Sequence, residues 1–180
     1  WGIPGTMGGA VMMNAGAYGG EICNIAKKAE HIDTKGVFGA FEKESLQFSY
    51  RHSAYTGSDF VILSCTAQLQ KGEKSEIRAK MDDFFDRRKT KQPLEYPSAG
   101  SVFKRPVGYF AGALIEQCGL KGKKIGDAMV SEKHAGFIVN CGKATCRDVE
   151  TLIHFIQETV KTEVGVALEC EVKRIGVSGI

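Results

Sequence analysis

Apolar residues recur with a helical period in three stretches. Over 147–163, Val149, Leu152, Ile153, Ile156 and Val160 repeat at about i, i+3, i+4 and i+7, which predicts an amphipathic helix. Asp148 and Glu150 near its start favour the positive end of the helix dipole. Over 75–91, Ile77, Met81 and Phe84/Phe85 give a similar spacing, with Ser75 as N-cap, Arg87, Arg88, Lys89 and Lys91 at the end, and Pro93 as the stop. Over 110–118, Leu114, Ile115 and Cys118 share a side, and Gly119 follows as a C-terminal cap.

Other stretches read as strands. Residues 166–175 alternate most regularly, with Val166, Leu168, Cys170 and Val172 on one face and Glu169, Glu171 and Lys173 on the other. Residues 60–69 and 136–140 are short apolar runs. Residues 30–50 break at Gly36 and Gly39, as a hairpin would. Residues 1–22 are rich in Gly and small residues, with a short helix expected between Gly8 and Gly16. The element order predicts an α+β protein of two units joined near Lys71-Gly72-Glu73-Lys74.

Composition narrows the picture. Hydrophobic residues make up 43% and charged residues 25%, which argues for folded globular structure. A net charge of +3 is too mild to point to nucleic acid. No apolar run approaches the ~18 residues of a membrane span. With no secretory leader pattern, the cysteines (Cys23, Cys65, Cys118, Cys141, Cys146 and Cys170) are expected to be reduced, mostly buried thiols of a cytoplasmic protein. The chain opens on Trp1 straight into its glycine-rich stretch, so an N-terminal portion is expected to be missing.

Several familiar motifs fail. The early glycines do not form GxGxxG. Gly136 to Lys143 misses the P-loop pattern, with one residue too many between its glycines and Ala144 where Ser or Thr belongs. HExxH and GxSxG are absent.

Four segments together resemble one family, the UDP-N-acetylenolpyruvoylglucosamine reductases (MurB). They are Gly2 to Ala10 with Asn14-Ala15-Gly16-Ala17-Tyr18-Gly19, then Tyr50-Arg51-His52-Ser53, then Gln92-Pro93 through Pro97 to Lys104, then Leu168 to Val172. Ala111 to Glu116 and His134 to Asn140 add to the likeness. The resemblance implies the second half of a VAO/PCMH-type FAD-binding domain over 1–72 and a MurB C-terminal substrate-binding domain over 73–180. It also implies an earlier lobe holding the FAD pyrophosphate, so the 180 residues alone are expected to bind FAD weakly or not at all.

The activity implied is NADPH- and FAD-dependent reduction of a UDP-sugar enolpyruvyl ether to UDP-N-acetylmuramate, on a small-molecule substrate with no nucleic acid, membrane, metal or obligate protein partner. Arg51 matches the catalytic arginine, Ser101 the proton donor and Glu171 the third catalytic residue; these three would have to converge on one pocket. Gly5, Thr6, Gly8, Gly9, Asn14, Gly16 and Ala17 match the flavin-facing segment. Tyr18, Arg88, Lys91 and Lys104 match substrate-contacting positions. Arg105 departs from the Lys-Asn-Pro of some members, which removes an asparagine contact. Taken singly, each residue has a plain structural reading: Arg51 a surface ion pair, Ser101 a turn, Glu171 a solvated strand carboxylate. The rival functions are another flavin oxidoreductase of this type and a nucleotide-sugar binding module without catalysis.

Overall fold

The structure, a computed structural model, describes residues 2–176. It divides into two compact units, Trp1–Phe85 and Asp86–Ile180. The division falls inside a helix rather than in the Lys71–Lys74 stretch.

The first unit begins with a short helix, α1 (Met7–Met12), and a tight hairpin of β1 (Gly16–Ala17) and β2 (Gly20–Glu21). Thr6 caps α1, its hydroxyl accepting from the Gly9 N–H at 3.1 Å. A three-stranded antiparallel sheet follows, in the order β4-β3-β5, from β3 (Ala26–Ile32), β4 (Phe38–Glu42) and β5 (Val61–Ala67). The Asp33 carboxylate closes the β3–β4 turn by accepting from the N–H groups of Lys35 and Val37. Gly36 sits in that turn, but Gly39 is inside β4. Gly39 is small because a Cβ there would stand 2.6 Å from Nε2 of His31.

Val11, Ala26, Ala29, Leu46 and Tyr55 form the first core. Tyr55 is wholly buried, and its hydroxyl donates to the Ala29 carbonyl at 3.1 Å while lying 3.0 Å from Nδ1 of His31. Since the hydroxyl's one proton goes to Ala29, His31 must donate from Nδ1.

Helix α2 (Lys74–Lys91) starts one residue before the expected cap, so Ser75 lies inside it. Glu73 takes the capping place, its carbonyl accepting from the Ile77 N–H at 3.0 Å.

The second unit holds a four-stranded antiparallel sheet in the order β6-β9-β8-β7, from β6 (Ser98–Ser101), β7 (Lys124–Ile125), β8 (Ala128–Val130) and β9 (Phe137–Asn140). Helices α3 (Ala111–Gln117) and α4 (Cys146–Val164) supply Leu114, Ile115, Leu152, Ile153, Ile156 and Val160 to its core. Gly119 ends α3 in the left-handed region (φ 66°). Thr145 and Asp148 form a reciprocal capping box at the start of α4.

Residues 166–175 do not form the regular strand that their alternation predicts. Leu168 is buried and Glu169 exposed, as expected, but pairing is confined to the single bridge Cys170–Phe103. Neighbouring bonds run from the Lys104 N–H to the Glu169 carbonyl (2.9 Å) and from the Glu171 N–H to the Val102 carbonyl (2.7 Å). The partner segment ends this ladder at Pro106, which has no N–H to give. The cysteines are free thiols, but they are half-buried, and Cys146 is exposed.

Burial pushes the Tyr55 hydroxyl up from 10.0 to about 12. A raised phenol pKa contributes stability that is complete below pH 10 and is lost as the pH climbs towards about 12. Tyr55→Phe should therefore cost about 1–3 kcal/mol at neutral pH, by leaving buried polar partners unmatched, yet flatten the loss of stability between pH 10 and about 12. Urea unfolding across that range checks both effects.

Candidate active site

In the first unit, two segments meet at Asn14. One carries the early glycines. Gly5 has φ 134°, open to glycine alone, and Gly8 and Gly9 lie in the first turn of α1 beside the Thr6 cap. Gly16 is required by the β1–β2 hairpin, because a Cβ would sit 2.6 Å from the Glu21 side chain and 2.8 Å from the Gly20 carbonyl. Ala17 is exposed on β1. Tyr18 follows at φ 53°, its ring stacked on Phe84 with centroids 4.9 Å apart and planes 9° from parallel.

The other segment is the tight turn Ser49–His52. The N–H of each end donates to the carbonyl of the other, at 3.1 and 3.2 Å. Arg51 occupies the turn in the left-handed region (φ 55°), half-buried, with its guanidinium carbon 5.2 Å from the centroid of the Tyr50 ring. Asn14 is buried, also left-handed (φ 47°), and bonds to both segments.

In the second unit, Ser101 ends β6 and is exposed, paired with Phe137. Its hydroxyl lies 3.4 Å from the Phe103 carbonyl, a long contact that holds it weakly. Val102 is the junction: its N–H donates to the Gly136 carbonyl (2.9 Å) and its carbonyl accepts from the Glu171 N–H. Ser101 and Glu171 are thus brought to adjacent segments within this unit, although they stand far apart in sequence. Arg51 belongs to the first unit.

Of the other sequence candidates, Arg88 is buried and Lys91 exposed on the last turn of α2. Lys104 forms an ion pair with Glu169, and the guanidinium of Arg105 lies over the Phe110 ring at 4.0 Å. Among the described residues, no group of three or more His, Cys, Asp or Glu side chains could hold a metal. No helix there is long and apolar enough to cross a membrane.

Sequence reasoning assigned no role to His134. Its Nδ1 accepts from the Gly136 N–H at 3.1 Å, and its ring faces Phe137 edge-on. A Cβ placed on Gly136 would meet His134 at 3.0 Å and the Ser101 hydroxyl at 3.7 Å, so both groups border the same backbone point. Burial holds the imidazole pKa below 6.5; the Lys121 charge acts in the same direction and Glu116 opposes it. Only the glycine two residues later hinted at this contact.

The second unit is thus an α+β unit in which backbone bonds of Val102 clamp the segment of Ser101 to that of Glu171. Residues 92–175 match the family described as the C-terminal domain of UDP-N-acetylenolpyruvoylglucosamine reductase. The curated enzyme of that name from Clostridium novyi is 53% identical over 175 residues, covering 97% of this chain and 57% of the relative. The one from Enterococcus faecalis is also 53% identical, over 97% of this chain and 58% of its own length. The crystal structure of UDP-N-acetylenolpyruvylglucosamine reductase (MurB) from Thermus caldophilus superposes with a TM-score of 0.83 at 38% identity, over 96% of this chain and 61% of that one. The chain belongs to the UDP-N-acetylenolpyruvoylglucosamine reductase family. It spans a little over half the length of the curated relatives it matches.

Because the folded His134 pKa is depressed, its contribution to stability is present above pH 6.5 and declines as the pH falls below that value. A proton NMR titration of the His134 ring should give a midpoint below 6.5, and His134→Asn should remove this part of the acid slope.

Proposed function

We propose that the protein containing this chain reduces UDP-N-acetylenolpyruvoylglucosamine to UDP-N-acetylmuramate, using FAD and NADPH, in the synthesis of peptidoglycan precursors in the cytoplasm. The observation that supports this reading is the Val102 junction, whose backbone bonds bring the segment of Ser101 beside the segment of Glu171 inside the part of the chain that matches the family.

The chemistry assigns a task to each residue. One carbon of the substrate's double bond bears both the ether oxygen and the carboxylate. Hydride addition at the other carbon pushes the electron pair towards the carboxylate and leaves a dianionic enolate. Arg51 grips that carboxylate through two parallel N–H bonds, and its guanidinium stays charged at any working pH. The Ser101 hydroxyl gives its proton to the neighbouring carbon, completing saturation. Glu171 places a carboxyl group beside it. Arg88, Lys91 and Lys104 offset the phosphate charge, and Tyr18 offers a ring face to the substrate.

The glycine-rich segment fits a flat cofactor. Gly5 has open space where a side chain would stand, and the backbone from Gly5 to Gly9 is largely exposed. Thr6, Gly8, Gly9, Gly16 and Ala17 would hold the flavin, and NADPH would reduce it; Asn14 is buried with its amide bonded inside the chain, so its side chain is not part of that surface. When bound, the flavin supplies the hydride.

The test follows NADPH oxidation by the full-length gene product when the enolpyruvyl nucleotide is added. Turnover is expected, and Ser101→Ala should lower kcat by about 10²–10⁴-fold while leaving flavin reduction by NADPH unchanged. Wild-type turnover in Ser101→Ala overturns the assignment. Binding of UDP with no flavin-dependent turnover points instead to a nucleotide-sugar binding module.

A further inference from the structure

We propose that Asn14 is a positioning residue for Arg51, tying the glycine-rich segment to the turn that presents the guanidinium. The inference rests on the function proposed above and assigns Asn14 work that contact with a cofactor does not.

Asn14 is 2% exposed, and its amide is fully engaged within the first unit. Its Nδ2 donates to the Glu21 carboxylate at 2.9 Å and to the Ser49 carbonyl at 3.1 Å, while its Oδ1 accepts from the Cys23 N–H at 2.9 Å. That set of partners fixes the orientation of the amide. Flipped, its oxygen would face a carboxylate and a carbonyl.

The Ser49 carbonyl is the important partner. It also accepts the His52 N–H that closes the turn around Arg51. The far side of the turn is fastened to the same segment. Ser53, wholly buried, donates its hydroxyl to the Met12 carbonyl at 2.7 Å, and Thr56 donates to the same carbonyl at 3.3 Å. The turn is therefore anchored before and after Arg51 to residues 12–14.

Each end of this link involves a left-handed residue, Asn14 itself and Arg51 within the turn that Asn14 holds. The amide bonds offset the strain of both. Losing them frees the turn, and the guanidinium loses the fixed direction that a two-point grip on a carboxylate requires.

The test uses Asn14→Gly, since glycine tolerates the same backbone and removes only the amide. Flavin reduction by NADPH and its reoxidation by the enolpyruvyl nucleotide are measured separately in the full-length gene product with FAD. Reoxidation should slow by about tenfold or more, with reduction within about twofold. In an Arg51→Ala background, Asn14→Gly should add no further loss, because a residue that acts through Arg51 has nothing left to position. An equal loss in both backgrounds overturns the proposal.

Hydrogen exchange in the 180-residue chain reads the link without any turnover. Asn14→Gly should speed exchange of the His52 N–H by about tenfold and leave the β3 amides unchanged. Unchanged exchange at His52 overturns the proposal even where the enzyme is active. Failure of the functional reading shows separately, as a wild-type protein that does not turn over the nucleotide.

Discussion

A residue with a Cβ, held at positive φ, crowds its own carbonyl at a cost of roughly 1–2 kcal/mol. The first unit bears that strain at Gln47 and at Asn14, Tyr18 and Arg51, the last three being residues whose pattern suggested chemistry. A chain adopts such a backbone only where its surroundings leave no alternative. Here those surroundings are the buried amide of Asn14, the two-ended turn at Ser49 and His52, and the double donation onto the Met12 carbonyl. Glycine would relieve the strain at any of these positions but would remove the side chain, which at Asn14 makes the bonds that tie the two segments. The local geometry therefore reads as a compromise in which hydrogen bonds hold a backbone that the side chains alone would not favour.

The second unit solves a different problem with the same means. In the proposed function, the serine that ends β6 and a glutamate some seventy residues later have to reach one small region. A regular strand pair would do this at the cost of fixing both side chains in a pleat. Instead, pairing narrows to one bridge and its flanking bonds around Val102, and only Val166 to Cys170 keep the alternation of burial. Ser101 is left exposed and its hydroxyl loosely bonded, as the proposed role of proton donor would require.

Much of the architecture was legible because burial writes a period into the chain. Helix α4 has the strongest apolar stripe and was placed within a residue of its observed ends. Strand β5 and the Gly119 cap followed from equally local rules. The strand predicted over 166–175 failed for a reason outside that segment: alternation reports which side faces the core, whereas a ladder also needs a partner with free N–H groups, and Pro106 withdraws it. Gly39 read as a break because the ring of His31, which it makes room for, comes from a neighbouring strand. Ser75 lost its capping role to Glu73 by a shift of two residues, too small for composition to register.

The site was legible in residue types and not in their connections. Arg51, Ser101 and Glu171 came from the segments that resemble the family, and none of their bonded supports could be read there. Asn14 was noticed as part of a flavin-facing motif, yet in the folded chain its side chain points into a bonded cluster. His134 was quoted within a motif and given no task, although it anchors Gly136, on which Val102 and then Glu171 hang. Such supports depend on which carbonyl lies opposite which amide across tens of residues, and neither hydropathy nor spacing encodes that directly. A reactive group can be recognised from its own neighbours in sequence. The residue that aims it is found only once the chain is folded, and there the strained backbone marks where to look.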